Sequence, residues 1–176
     1  MGLERTGRVA VLMGSDSDLT AMTAALRVLR PLGIDCEVHV ASAHRTPERT
    51  MQIVRTAPER DVRVFIAGAG AAAHLAGFVA AHTTLPVLGV PLATSDLKGL
   101  DALLATVQMP AGIPVGTLAI GEAGAANAGW LAASILALSD ERLAARLVDA
   151  RRDMAEKVER RNEAAQKQIA ALFGDV

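Results

Sequence analysis

The feature that most constrains this chain is a regular alternation of short apolar runs with longer amphipathic ones. Residues 9–13, 36–41, 62–67, 86–90 and 115–120 read as strands. Helical spacing follows each: 19–32, stopped by Gly33; a segment opened by Thr46-Pro47-Glu48; a stretch reaching His82; 100–107; and an Ala-rich run over 123–138. Thr can cap a helix, and Pro suits its first turn. Strands this apolar are buried on both faces, as in a parallel sheet covered by helices. Five such units predict an α/β fold, a three-layer α/β/α sandwich with an open parallel sheet and right-handed crossovers. Such sheets bind ligands at the carboxyl ends of their strands. The unusual segments fall there: 14–18, 42–47, 68–74 and 89–91.

After Ser139 the character changes. Residues 141–173 are dense in charge, with Leu143, Leu147, Met154, Val158, Ile169 and Leu172 at three- or four-residue spacing or multiples of it. A narrow apolar stripe on a charged helix predicts packing on another surface, that of a neighbouring subunit. An ordinary helix on its own domain and a frayed tail are the alternatives. With no Gly/Ser-rich linker and no repeat, the organisation is one α/β domain over 1–139 and a helical extension over 140–176.

Composition narrows the function. The 176 residues hold three Phe, one Trp and no Tyr, which leaves almost no rings for stacking bases. Net charge is −1, so no basic surface attracts a nucleic acid. A small phosphorylated ligand stays open. Cys36 is the only cysteine, which forbids an intrachain disulfide and suits a reducing compartment; an inert buried thiol is the expectation. Residues 1–8 are short and charged and run into a strand, with no signal peptide. Apolar stretches are broken well before the ~20 residues of a membrane span. The chain is expected in the cytoplasm, without membrane or nucleic-acid partners.

Three loops carry groups suited to chemistry. Gly14-Ser15-Asp16-Ser17-Asp18 opens a helix whose N–H groups suit a phosphate, with Ser15 and Ser17 as further donors and Asp18 as an acceptor for ribose hydroxyls. Plain helix capping explains the same residues. In Ser42-Ala43-His44-Arg45-Thr46-Pro47, Arg45 can grip a phosphate or carboxylate bidentately, and His44 brings an imidazole, the side chain best suited to give and take a proton. In Gly68-Ala69-Gly70-Ala71-Ala72-Ala73-His74, glycine permits close approach of a ligand to the backbone. This segment is only weakly a dinucleotide fingerprint. It follows the third strand, Ala73 replaces the last Gly, and no acidic residue ends the next strand. His74 is either a second titrating group or a helix N-terminal residue. His39 and His82 read as structural. No His, Cys or carboxylate pair has metal-ligand spacing, so neither a metal nor another cofactor is expected.

Together these loops resemble N5-carboxyaminoimidazole ribonucleotide mutase of the bacterial type, in the phosphoribosylaminoimidazole carboxylase catalytic subunit family. The resemblance continues through Pro86-Val87-Leu88-Gly89-Val90-Pro91, Val107-Gln108-Met109-Pro110, 112–121 and Ala123-Gly124-Ala125-Ala126-Asn127-Ala128, in unbroken order over residues 9–138. It implies a flavodoxin-like fold, a homo-octamer and an isomerase of de novo purine biosynthesis. It implies His44 as the catalytic residue, phosphate near Ser15 and Arg45, and ribose near Asp18. Ser42 and the loop with Gly68, Ala69, Gly70, Ala73, His74 and Leu75 would line the carboxylate and imidazole site. Ala71, Ala76 and Phe78 stand where the family commonly has Gly, Pro and Met; a positive φ at Ala71 would strain its Cβ. The implied reaction needs one group that gives and then takes a proton, and an enclosed site that retains CO2. Two other classes fit the bare residues: a dinucleotide-dependent oxidoreductase and a non-catalytic nucleotide-binding α/β module. Within the family, a carboxylase using free CO2 on aminoimidazole ribonucleotide is the nearest alternative.

Overall fold

The computed structural model describes residues 7–174. The charged start of the chain, read above as free of a leader, lies outside them up to Thr6. Five parallel strands form one sheet: β1 (Arg8–Met13), β2 (Cys36–Val40), β3 (Val62–Gly70), β4 (Val87–Leu92) and β5 (Gly116–Thr117), in the order β2-β1-β3-β4-β5. Helices connect them: α1 (Leu19–Leu29), α2 (Pro47–Arg55), α3 (His74–Ala80), α4 (Leu100–Val107) and α5 (Glu122–Ala137), followed by α6 (Glu141–Phe173). This is the predicted flavodoxin-like α/β sandwich with a C-terminal helix.

Strand alternation divides the core into two layers. Val9, Val11 and Met13 face Met22, Ala25 and Leu29 of α1 and Ala125, Ala128 and Ala132 of α5. Ala10 and Leu12 face the other way, with Phe65, Val54 of α2 and Leu75, Ala76 and Val79 of α3. α4 closes that second face over β4, where Thr106 packs against Gly89. The Ala-rich character of α5 has a direct use here. Small side chains let a helix lie close to its neighbour, and Gly129 sits against the Ala25 backbone of α1.

Several boundaries differ from expectation, each for a local reason. β3 runs three residues further, through Gly70, because Gly68, Ala69 and Gly70 keep pairing with Val90, Pro91 and Leu92. β4 is correspondingly longer. β5 is regular over only two residues. Beyond it the N–H groups of Leu118 and Gly121 still donate to the carbonyls of Gly89 and Pro91 (2.9 and 2.8 Å), but three residues on one side match two on the other, a bulge-like mismatch. β2 is an edge strand rather than a doubly buried one: Val38 and Val40 are 40% and 42% exposed. α1 ends early, and residues 30–33 form a tighter turn in which Gly33 takes a positive φ of 71°. Leu143, fully buried, anchors the start of α6 in the α1–α5 layer, whereas every described residue from Arg151 onward is exposed. No described helix is long and apolar enough to cross a membrane.

Candidate active site

The carboxyl ends of β1, β2, β3 and β4 frame an open cleft of about 290 Å³. Ser15, Ser17, Asp18, Ser42, His44, Arg45, Ala69, Gly70, Ala73, His74 and Leu75 line it, as the sequence predicted. Gly68 does not. It lies inside β3, and a Cβ there would come within 2.3 Å of Met22 Sδ, so its bareness serves the packing of α1. Gly14, Ala43 and Thr94 complete the lining. Thr94 escaped the sequence reading because β4 extends to Leu92 and moves the strand end two residues downstream.

Capping chemistry shapes the first loop. The Ser15 N–H donates to Asp18 Oδ2 (3.1 Å) and the Ser17 N–H to Ser15 Oγ (3.3 Å), a reciprocal capping box around a short 3-10 turn at Asp16–Asp18. Capping does not withdraw these residues from the cleft, which Ser15 and Ser17 still border. Asp18 is 6% exposed. Burial pushes its carboxyl above the ordinary range; the Ser15 N–H opposes this, Asp16 adds to it and Arg45 opposes it.

The second loop is braced internally. Ser42 N–H donates to Thr46 Oγ1 (3.0 Å), Thr46 Oγ1 donates to the Ser42 carbonyl (3.2 Å), and Arg45 N–H donates to Ser42 Oγ (3.2 Å). Thr46 stands at the N-cap of α2, but its hydroxyl serves this brace and not the helix. Arg45 Nη2 donates to the Gly14 carbonyl (3.0 Å), which holds an exposed guanidinium over the first loop. Its remaining N–H groups are available to an anion.

His44 and His74 meet across the cleft. Nε2 of His44 lies 2.5 Å from Nδ1 of His74, with ring centroids 4.6 Å apart and planes inclined at 63°. One nitrogen must carry a hydrogen and the other a lone pair, so the pair holds a single proton between two bases. His74 is the first residue of α3, and its ring faces His44 in the cleft. Its loop is strained: Ala71 and Ala73 have φ of 50° and 43°, the left-handed region that disfavours a Cβ. Ala71 thus has the positive φ at which a Cβ is strained.

The other histidines lie outside the cleft lining. His39 Nε2 donates to Glu37 Oε1 (3.2 Å), and His82 pairs through Nδ1 with the Phe78 carbonyl (2.7 Å) while its ring stacks on Phe78. Cys36 is half-buried with Sγ on the Ile34 carbonyl, and burial pushes its thiol up to about 11. Such a thiol is a poor nucleophile at neutral pH.

This geometry has close relatives. A family model described as AIR carboxylase matches residues 8–157. N5-carboxyaminoimidazole ribonucleotide mutase of Brucella melitensis is 54% identical over 153 residues, covering 87% of this chain and 94% of its own. The protein of that name from Escherichia coli is 52% identical over 151 residues, covering 86% and 89%. That from Mycobacterium leprae is 49% identical over 173 residues, covering 98% and 100%, and so includes most of α6. A crystal structure of Treponema denticola PurE matches the fold with a TM-score of 0.78 over 95% of this chain and 98% of its own, at 24% identity. Sequence and fold agree: the chain belongs to the AIR carboxylase family.

Proposed function

We infer that this protein is an N5-carboxyaminoimidazole ribonucleotide mutase. It moves the carboxylate of its substrate from the exocyclic nitrogen to ring carbon C4, giving 4-carboxy-5-aminoimidazole ribonucleotide in purine biosynthesis. The relatives that bear this name support the reading at about half identity over most of their length. The observation that carries the chemistry is the His44–His74 pair in a cleft that Arg45 also lines.

In this reading Arg45, with Ser15 and Ser17, holds the phosphate, and Asp18 accepts from the ribose. Ser42 and residues Ala69, Gly70, Ala73 and Leu75 border the imidazole. Protonated His44 exchanges its bond to His74 for the substrate nitrogen and gives it a proton. The N–C bond of the carbamate breaks, releasing CO2 beside the ring. C4 then attacks that CO2, forming the new C–C bond. Neutral His44 removes the C4 proton, and the ring regains aromaticity. One proton leaves His44 and one returns, so the cycle closes without redox change or a co-reactant. Small side chains at Ala69 and Ala73 let CO2 remain next to C4, a proximity effect.

The reading extends to assembly and place. The exposed run of α6 beyond Arg151, with Met154, Val158, Ile169 and Leu172, is the face a neighbouring subunit would cover in a homo-oligomer, an octamer by family resemblance. Light scattering of a chain cut after Ser139 should report a smaller assembly, and an unchanged one would set the idea aside. A biosynthetic enzyme for a phosphorylated nucleotide operates in the cytoplasm.

The deciding assay supplies the carbamate substrate with and without bicarbonate, and separately aminoimidazole ribonucleotide with bicarbonate. The mutase converts the first at a rate independent of bicarbonate. Conversion that requires bicarbonate and starts from the uncarboxylated nucleotide would establish the carboxylase instead.

A further inference from the structure

Thr94 lies at the β4 end of the cleft and takes no part in the proton path above. Its Oγ1 stands 1.7 Å from where a Cβ on Gly70 would be. The side chain therefore leans on the bare backbone at the end of β3, an approach only glycine allows there. The Thr94 N–H donates to the Leu92 carbonyl (3.1 Å), which fixes the backbone. The hydroxyl has no hydrogen-bond partner among the described residues, and it borders the cleft. The β1 hydroxyls differ: Ser15 Oγ donates to Asp16 and Ser17 Oγ to Ser15. Thr94 is free both to give and to accept.

Position gives that freedom meaning. In the order β2-β1-β3-β4, the Arg45 loop and Thr94 are three strand spacings apart, about 14 Å at the usual inter-strand distance. The His44–His74 pair lies between them. A ligand that places its phosphate at Arg45 and its reacting atoms at His44 directs its far end toward Thr94. On the mutase reading, on which this inference rests, that far end is the ring bearing the migrating carboxylate.

We propose that Thr94 is a specificity-determining contact whose hydroxyl donates to the carboxylate on the imidazole ring and orients it over C4. A hydroxyl donating to a carboxylate makes a charge-assisted bond, stronger than one to a neutral acceptor. The contact distinguishes a carboxylated from an uncarboxylated nucleotide, which the Arg45 end cannot do.

Two variants separate the hydroxyl from the packing. Thr94→Val keeps the shape against Gly70 and removes the donor; Thr94→Ser keeps the donor. Calorimetry then compares 4-carboxy-5-aminoimidazole ribonucleotide with aminoimidazole ribonucleotide. Thr94→Val should weaken the carboxylated nucleotide by about 10-fold or more and leave the uncarboxylated one unchanged, while Thr94→Ser retains both. Equal loss for both nucleotides, or no loss for the carboxylated one, overturns the role of Thr94 while the mutase reading stands. Failure of the unaltered protein to bind either nucleotide overturns both.

Discussion

β2 and the loop that leaves it carry two histidines with opposite surroundings. His39 lies in a saturated knot. The Arg60 guanidinium grips Glu37 with Nε to Oε2 (2.9 Å) and Nη2 to Oε1 (2.8 Å), while its Nη1 reaches Thr56 and Nη2 also the Ile53 carbonyl. His39 adds a third donor to the same carboxylate. Burial alone would raise the Glu37 carboxyl, but the Arg60 fork and His39 outweigh it and hold it below its ordinary range. His44 shows no such partner. It faces another imidazole, in an open cleft, with a cation next door in sequence. The lesson is that a histidine tied to an ion pair is held for structure. A histidine sharing one proton with a second neutral base can pass that proton on.

The largest expected effect tests the open member of this comparison. His44→Asn keeps size and some hydrogen bonding but cannot carry a proton. Turnover should fall by roughly 10²–10⁴-fold or more, with little change in nucleotide affinity. His74→Asn should cost less, since His74 acts by holding His44. Steady-state kinetics with a separate binding measurement decides, and a larger loss at His74 would exchange their roles. Arg45→Ala comes next. It should weaken nucleotide binding by about 2–3 kcal/mol and leave the turnover of bound substrate far less affected. An unchanged Kd would remove Arg45 from the phosphate site.

The closed member predicts stability and not activity. Glu37→Gln should lower unfolding free energy by about 1–3 kcal/mol with kcat retained. The sign with pH follows from the lowered carboxyl. Its contribution is complete above the ordinary carboxylate range and disappears as pH falls through the folded value. Denaturant curves of native and variant should therefore converge in acid. A gap that persists at low pH would mean that packing, not charge, holds the knot. The smallest effect belongs to the cleft loop. Ala71 is exposed, so Ala71→Gly removes no packing while relieving a left-handed φ. Relief of about 1–2 kcal/mol is partly offset by the greater freedom of unfolded glycine, leaving a gain of up to about 1 kcal/mol. A lower melting temperature would show that the strain lies elsewhere.

Much of this was legible in the chain, for definite reasons. Each βα unit announces itself because strands buried on both faces are continuously apolar and helices punctuate them. Placing functional loops at strand ends put Ser15, His44 and His74 in one cleft before any coordinates. What failed was information held by partners. Periodicity does not reveal strand order, so the 36–41 run looked buried although β2 is an edge with Val38 and Val40 exposed. Gly68 and Gly70 read as loop residues, yet both belong to β3, where they admit Met22 and Thr94. The early end given to the fourth strand hid Thr94, whose side chain leans on Gly70, 24 positions earlier in the chain.

The position of β1 has a consequence for how the molecule is made. Of the five described strands, the earliest in the chain is an interior one, and its five apolar residues 9–13 are flanked by β2 and β3. At about 5–20 residues per second, several seconds pass before Gly70 is translated and the second edge of β1 can be satisfied. The helix that seals its other layer, α5, comes later still. During that interval an apolar strand with an unpaired edge stands open on the nascent chain. The pairing of β1 with β3 joins residues about 55 positions apart, such as Val9 with Val64; contacts that distant are slow to form, and the early strand is where association between nascent chains would begin.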